Sequence, residues 1–158
     1  MEAEYFPIWI DKEGIWYYQG AEMFRKDILA LFFQALNGDD SGHYYLEMQG
    51  KQYYIQVEDC PFVVMAVDAR SPGSPEQEIE LLLTDDSREL LDGKTLSLGD
   101  GNILYCSVKG GRFEARFSRP AWYQLANHVK HNDETGDFTL AINGEVYFLK
   151  ADATNGGS

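Results

Sequence analysis

Cysteines, basic residues and long apolar runs are scarce in this sequence, and each shortage excludes a class of protein. The two cysteines, Cys60 and Cys106, are too few to stabilise a small secreted scaffold through disulfides. Thirteen basic against 26 acidic residues give a net charge of −13, which repels nucleic-acid phosphates and anionic lipid head groups. No apolar run approaches the ~20 residues of a membrane-spanning helix. Nucleic-acid and membrane partners are therefore not expected.

Motifs with a known catalytic mechanism are also missing. There is no glycine-rich phosphate loop, G-x-S-x-G, C-x-x-C or H-E-x-x-H motif. His128 and His131 lie near Asp133, but three metal ligands cannot be named, so we expect no metal and no cofactor. An enzyme that uses Glu58 or Asp59 with His128 is an alternative. Because no nucleophile, base and orienting group come together, the sequence predicts a protein without catalytic activity.

Both cysteines lie in apolar, strand-like segments. We expect buried, reduced thiols, with a disulfide or a redox pair as the alternatives. Residues 1–14 are acidic and lack the apolar segment of a signal peptide, and this predicts a cytoplasmic protein.

Hydrophobic periodicity predicts two main helices. In Phe24–Leu36 the apolar residues form two neighbouring stripes, which predicts a helix buried on nearly two sides, ended by a left-handed cap at Asn37-Gly38. A second helix begins after Ser118, with Pro120 in its first turn and the basic residues Lys130 and His131 in its last, where the helix dipole favours them. Before the first helix, residues 8–19 predict an aromatic-rich hairpin.

Between the helices the pattern predicts mostly strands. Phe62–Val67 is apolar throughout, which is typical of a strand covered on both faces. Proline and glycine predict an exposed loop over residues 70–75. A strand over residues 79–83 follows, then a helical turn ending near Asp92-Gly93 and a meander of three strands over residues 95–117.

A segment of the chain is repeated. Asp39–Ile55 reappears 94 residues later as Asp133–Leu149, and the same offset aligns Arg25 with Arg119 at the two helix starts. This predicts an α+β fold with a duplicated unit of strand or hairpin, helix and hairpin, mostly antiparallel sheets and two main helices. The expected organisation is an N-terminal unit (1–59), a C-terminal unit (60–150) and a disordered tail (151–158). The identical pairs are Asp39/Asp133, Gly42/Gly136, Leu46/Leu140, Gly50/Gly144 and Tyr53/Tyr147.

The two aligned arginines are candidates for ligand binding. A cation at a helix N-terminus opposes the helix dipole, unless an anion is shared between it and the free backbone N–H groups. Arg25 and Arg119 therefore predict a cradle for a phosphate or carboxylate. The alternative is that each pairs with an acidic neighbour such as Glu22, Asp27 or Glu114.

Three segments carry a resemblance to a known family. They are GIWYYQGAEMFRKDILALFFQAL (Gly14–Leu36), VEDCPFV (Val57–Val63) and FSRPAWYQLA (Phe117–Ala126). In this order they resemble bacterial domain-of-unknown-function family 1285. The resemblance implies a duplicated core with a superficially pleckstrin-homology-like second half. It also implies a nucleotide-type ligand site at the junction of the halves and a role in signal transduction.

The resulting hypothesis is a non-catalytic regulatory module that binds a small anionic, nucleotide-like ligand between its repeats. The arginines would supply charge, and two aromatic residues would supply stacking surfaces. The alternative is a protein-interaction or dimerisation module that uses the first helix and the N-terminal aromatics. By position, the resemblance places Trp16, Arg25, Glu58, Asp59, Pro61, Arg119 and Tyr123 at the junction.

Overall fold

The computed structural model describes residues 3–149 and has an α+β fold. The chain divides into two compact units, Met1–Phe62 and Val63–Ser158. The described residues contain two α-helices and three sheets, in which nearly all registered strand pairs are antiparallel. This confirms the predicted fold class. The tail predicted at residues 151–158 lies outside the described residues.

The first unit is built on one six-stranded sheet in the order β3-β2-β1-β6-β5-β4. The pairing of β1 with β6 is parallel, and the others are antiparallel. The elements are β1 (Ala3–Ile10), β2 (Trp16–Tyr18), β3 (Ala21–Glu22), α1 (Lys26–Ala35), β4 (Leu36–Gly38), β5 (Tyr44–Met48) and β6 (Lys51–Val57).

The predicted N-terminal hairpin is confirmed, and one aspartate organises its turn. Asp11 accepts the backbone N–H groups of Glu13 and Ile15 on one carboxylate oxygen, at 2.9 and 3.0 Å. Its other oxygen accepts the Tyr17 hydroxyl at 3.1 Å. Gly14 takes a φ of +85°, which glycine adopts without steric cost. A side chain that can satisfy two backbone donors thus fixes the register of β1 against β2.

Helix α1 differs from its prediction in burial and at its end. None of its residues is fully buried, and Leu31 is 64% exposed, so the two-sided burial was wrong. The left-handed cap at Asn37-Gly38 was also wrong. Leu36 is extended (φ −70°, ψ 134°), and Leu36–Gly38 enters the sheet as β4, where Leu36 lies opposite Leu46. Pairing with β5 supplies the backbone partners that a cap would otherwise have supplied.

The second unit has two sheets, one of six strands in the order β10-β11-β12-β7-β8-β9 and one of three in the order β13-β14-β15. Ser118 caps α2 as predicted, because its hydroxyl accepts the Ala121 N–H at 3.2 Å. The elements are β7 (Phe62–Arg70), β8 (Glu78–Leu83), β9 (Arg88–Leu90), β10 (Ser97–Leu98), β11 (Leu104–Val108), β12 (Phe113–Phe117), α2 (Arg119–Ala126), β13 (Val129–His131), β14 (Phe138–Ile142) and β15 (Glu145–Leu149).

Three local predictions in the second unit need correction. Arg88–Leu90 is strand β9, paired with β8, and the only helical turn near Asp92 within residues 3–149 is the 3-10 turn at Gly93–Thr95. Strand β7 is buried at its start, but Met65 is 44% exposed, so the strand is not covered along its length. His131 lies in strand β13 and not in the last turn of α2. In the first and third of these, pairing with the strand adjacent in the chain outweighs the local pattern.

The duplicated hairpins have the same design. Both turns place two residues at positive φ, Gln49-Gly50 in the first unit and Asn143-Gly144 in the second. This is the type I′ geometry whose twist matches that of antiparallel strands. Leu46 and Leu140 occupy equivalent positions and are both 0% exposed. Each hairpin therefore contributes the same leucine to the core of its own unit.

The two copies differ by one residue in the loop before the hairpin. Leu46 and Leu140 are equivalent and lie 94 residues apart. Their partners in the preceding strands, Leu36 and Val129, lie only 93 residues apart, so the loop between these two strands is one residue longer in the second unit. Asn132 accordingly takes the place of Asp39, because each accepts two loop N–H groups on its side-chain oxygen. The structural counterpart of Asp39 is thus Asn132, although the sequence alignment pairs it with Asp133.

Candidate functional site

A cavity of about 460 Å³ lies in the first unit, beside the start of α1. Phe6 forms the centre of its aromatic wall. The Phe6 ring centroid lies 6.0 Å from that of Tyr18 and 6.2 Å from that of Phe32, which it meets edge to face. The lining residues are Phe6, Tyr18, Ala21, Glu22, Met23, Phe24, Arg25, Ile28 and Phe32. Carbon surface dominates this wall, which suits the apolar body of a ligand.

Arg25 combines two features that the sequence left as alternatives. It lines the cavity, and its guanidinium also forms a bidentate pair with Asp27, at 2.6 Å (Nη2–Oδ2) and 3.2 Å (Nε–Oδ1). The Arg25 hydrogen bonds hold the pKa of the Asp27 carboxyl below its usual value. Both side chains are about two-thirds exposed or more, and an exposed ion pair of this kind contributes only ~0–1 kcal/mol. A ligand anion can therefore compete with Asp27 at modest cost.

The backbone at Arg25 begins the helix. Arg25 is the N-cap residue of α1, and its carbonyl accepts the Leu29 N–H at 3.0 Å. Within residues 3–149, the Arg25 side chain forms no capping hydrogen bond. Arg119, by contrast, is the first helical residue of α2, after the Ser118 cap. The two arginines are therefore one position apart in their helices.

Trp16 lies beneath α1 and not in the cavity wall. It is 3% exposed, its ring stacks on Phe32 at 6.2 Å, and it meets Phe33 edge-on at 4.9 Å. Its indole Nε1–H has no hydrogen-bond partner within the described part of the chain. Trp16 thus contacts a residue of the cavity wall, but it does not itself line the cavity.

Glu58 and Asp59 lie away from the Arg25 cavity. Glu58 connects the end of β6 to the turn between β1 and β2. Its backbone N–H donates to the Ile10 carbonyl at 2.8 Å, and its carboxylate accepts the Lys12 N–H at 3.2 Å. Asp59 lines a different cavity of about 610 Å³ that is rich in tyrosine and includes Tyr5 and Tyr54. The structure therefore separates these two carboxylates from Arg25 within the first unit.

Arg119 and Tyr123 belong to the second unit. They are at i and i+4 on α2, and so they share one helix face. Both are exposed, Tyr123 by 63%. Arg119 forms no ion pair with any residue in 3–149. Of the seven residues predicted at the junction, this helix face brings two together, Arg119 and Tyr123.

The sequence did not assign the aromatic wall to a site. Phe24, Ile28 and Phe32 follow helical spacing, which the sequence already showed as an apolar stripe. Phe6 and Tyr18 come from two strands whose register only the structure gives. The helical spacing of Phe24, Ile28 and Phe32, which begins beside Arg25, was thus the signal available in the sequence.

Two other predicted features can be placed. Cys60 and Cys106 are buried and form no disulfide, as expected, and burial raises the pKa of the Cys106 thiol to about 12. His131 Nδ1 lies 3.1 Å from an Asp133 oxygen. Among residues 3–149, no group of three or more His, Cys, Asp or Glu side chains is arranged to hold a metal ion. No helix in the same span has both the length and the apolar character needed to cross a membrane.

Comparison with known proteins matches the first unit to a protein family. Residues 2–60 match the family model described as Domain of unknown function (DUF1285), N-terminal domain. The first unit is a DUF1285 N-terminal domain. The resemblance seen in the sequence is thereby confirmed, and the Arg25 cavity lies wholly inside this DUF1285 domain. No curated protein matches the chain.

Two crystal structures titled DUF1285 family proteins share the fold. The one from Silicibacter pomeroyi DSS-3 has a TM-score of 0.79 and 21% identity, covering 97% of this chain and 84% of that chain. The one from Shewanella baltica OS155 has a TM-score of 0.63 and 20% identity, covering 77% of this chain and 91% of that chain. At such identity the likeness establishes the fold alone. The pleckstrin-homology-like second half stays a prediction.

Proposed function

We propose that the DUF1285 N-terminal domain is a non-catalytic, regulatory binding module for a small anionic ligand with a flat apolar body, such as a nucleotide. The observation that supports it is the cavity beside α1, where an aromatic wall meets the Arg25 guanidinium. A role in signalling would follow if binding is coupled to another partner. We place the protein in the cytoplasm as part of this proposal, because Cys60 and Cys106 form no disulfide.

The chemistry of the cavity favours a ligand of low charge. Its volume of about 460 Å³ lies within the range of small-molecule sites, ~300–1,000 Å³. The faces of Phe6 and Phe32 can contact a planar ring system, while Arg25 can bind a carboxylate or phosphate through two N–H groups. Glu22 also lines the cavity, and the chain carries a charge of −13. A monoanion or monophosphate is therefore preferred over a triphosphate.

Calorimetric titration of the full chain with a nucleotide panel tests the proposal. We expect Arg25→Ala to weaken binding of the best nucleoside monophosphate roughly tenfold, because a charge-assisted bidentate contact is lost. Asp27→Asn should strengthen it, since Arg25 then no longer has a charged competitor. The corresponding neutral nucleoside should bind less tightly to the wild type and be insensitive to Arg25→Ala.

Two arginine variants complete this experiment. Arg70→Ala removes the same charge from the second unit, where Arg70 pairs with Glu80 at 2.6 Å, and it should leave binding unchanged. Arg119→Ala tests the hypothesis drawn from the sequence that both helix starts contact one ligand, which predicts a loss as large as that of Arg25→Ala. If no nucleotide binds, or if Arg70→Ala weakens binding as much as Arg25→Ala, the proposal is wrong.

A protein-interaction module is the second candidate, because α1 and the residue before its N-cap expose apolar side chains. Phe24 is 76% exposed and Leu31 is 64% exposed. If this surface associates with a second copy, light scattering will show a concentration-dependent dimer that Leu31→Glu abolishes and Arg25→Ala does not. A monomer at every concentration, with Leu31→Glu indistinguishable from the wild type, would exclude self-association.

A further inference from the structure

The second unit contains a cavity of about 330 Å³ on the outer face of its three-stranded sheet. Thr139 and Ala141 of β14 lie on this face, while Leu140 between them points into the core and is 0% exposed. Lys130 lies opposite Thr139, and Val146 lies opposite Ala141, so all four residues share the face. The cavity is thus built on a regular sheet with a fixed register.

A loop held by hydrogen bonds forms the rim of this cavity. Gln77 is 3% exposed and donates from its side-chain amide to the Ala141 carbonyl at 2.8 Å. The Gln77 carbonyl accepts the Asn143 N–H at 2.8 Å, and the Pro75 carbonyl accepts the Gly144 N–H at 2.7 Å. The loop is therefore attached at three points, one in β14 and two in the β14–β15 turn. Such a rim is preorganised, which lowers the entropic cost of binding.

The charge of the cavity is opposite in sign to that of the chain. Lys130 and His128 line it, and none of the described residues in its lining is acidic, although the chain carries a net charge of −13. Two nearby carboxylates have other partners. Glu78 lies 4.0 Å from Arg70, and Glu145 accepts the Tyr147 hydroxyl at 2.7 Å. The local field therefore favours an anion.

The polar side chains of the cavity retain free hydrogen-bonding capacity. Within residues 3–149, the side chains of Lys130, His128 and Thr139 form no hydrogen bond or ion pair. The ammonium group, the imidazole N–H and the hydroxyl are all donors. Three donors on one face of a cavity match the several acceptor oxygens of a tetrahedral oxyanion.

The duplication shows that the fold does not require these residues. Because Val129 corresponds to Leu36 in register, His128 corresponds to Ala35 and Lys130 to Asn37. The first unit forms the same sheet pairing with a small apolar residue and a neutral amide at these positions. Binding of a ligand therefore explains the presence of His128 and Lys130 in the second unit better than a requirement of the fold does.

We propose that this cavity binds the oxyanion group of a small phosphorylated or sulfated molecule, with Lys130 and His128 as its principal contacts and Thr139 as a further donor. The site lies in the second unit, and it is independent of the Arg25 cavity and of the function proposed for that cavity. Its volume exceeds that of a free phosphate, so a small organic body fits beside the anion.

Titration of the full chain with inorganic phosphate at low ionic strength, followed by 31P NMR, tests this site. The double variant His128→Ala/Lys130→Asn installs the residues that the first unit uses, and so it should fold like the wild type. We expect it to bind phosphate at least roughly tenfold more weakly. Lys94→Asn removes the same lysine charge from an exposed turn of the same unit and should bind within about twofold of the wild type.

Further ligands identify the chemistry. We compare the affinity of ribose 5-phosphate with that of ribose, and the affinity of sulfate with that of phosphate. These two comparisons distinguish a phosphorylated metabolite from a free inorganic anion. If the double variant unfolds at a lower midpoint than the wild type, the single variant Lys130→Gln at the exposed Lys130 position replaces it. This single variant should still weaken phosphate binding several-fold. The proposal is overturned if the wild type shows no saturable phosphate binding, if the double variant binds equally well, or if Lys94→Asn causes the same loss.

Discussion

Truncating Leu46 or Leu140 to alanine is expected to lower the free energy of unfolding by about 2–5 kcal/mol. Both side chains are 0% exposed, and each lies at the centre of a hairpin that packs into the core of its own unit. The loss combines the transfer free energy of the removed methyl groups with the cost of the cavity left behind. Because the two positions are equivalent in the duplicated hairpins, we expect losses of similar size.

Urea denaturation separates the two effects, because the units contain different tryptophans. Trp9 and Trp16 lie in the first unit and Trp122 in the second. Glu47→Ala and Val146→Ala, at exposed positions of the same hairpins, are matched controls that should change stability by less than about 0.5 kcal/mol. A loss below about 1 kcal/mol for either leucine would show that its hairpin does not hold the core.

Replacing Gly93 with alanine should cost about 3 kcal/mol of unfolding free energy. Gly93 is buried, and a Cβ at this position would lie 2.5 Å from two ring carbons of Tyr147 and 2.9 Å from its Cγ. The ring cannot give way easily, because its hydroxyl donates to Glu145 at 2.7 Å and Cγ is fixed close to the backbone of β15. Overpacking of this severity lies at the upper end of the usual range.

A double-mutant cycle isolates the clash at Gly93. In a Tyr147→Ala background the added methyl group has room, and Gly93→Ala should then cost less than about 1 kcal/mol. Chemical denaturation of the four proteins measures the coupling. Equal costs in both backgrounds would mean that backbone conformation, and not the Tyr147 ring, makes glycine necessary at this position.

Much of the fold could be predicted from local patterns. The turn residues Asp11–Gly14 and Asn143-Gly144, the Ser118 cap and the repeat at an offset of 94 each indicated an element that the structure contains. These signals are short-range, since they depend on turn chemistry and side-chain periodicity. Two errors arose where pairing with a neighbouring strand decided the outcome. Leu36–Gly38 and Arg88–Leu90 became strands because β5 and β8 offered backbone partners that no local pattern shows.

The candidate site was predictable only in part. Arg25 was singled out by its place at a helix start, and it lines a cavity. Trp16 was expected beside a ligand but is buried, because an indole ring under a helix contributes more by packing than by exposure. Lys130 was interpreted as a charge at a helix C-terminus. It lies in a strand, and its position opposite Thr139 became visible only with the register of β13.

The parallel pairing of β1 with β6 has a consequence for biosynthesis. Ile10 lies beside Val57, so β1 pairs with a strand that the ribosome synthesises 47 residues later. Until then the N-terminal hairpin has an open edge along β1, although α1, β4 and β5 have already been synthesised. The slow step in maturation of this unit is therefore expected to be the pairing of β6 (Lys51–Val57) with β1, which completes the sheet while the rest of the polypeptide is still being synthesised.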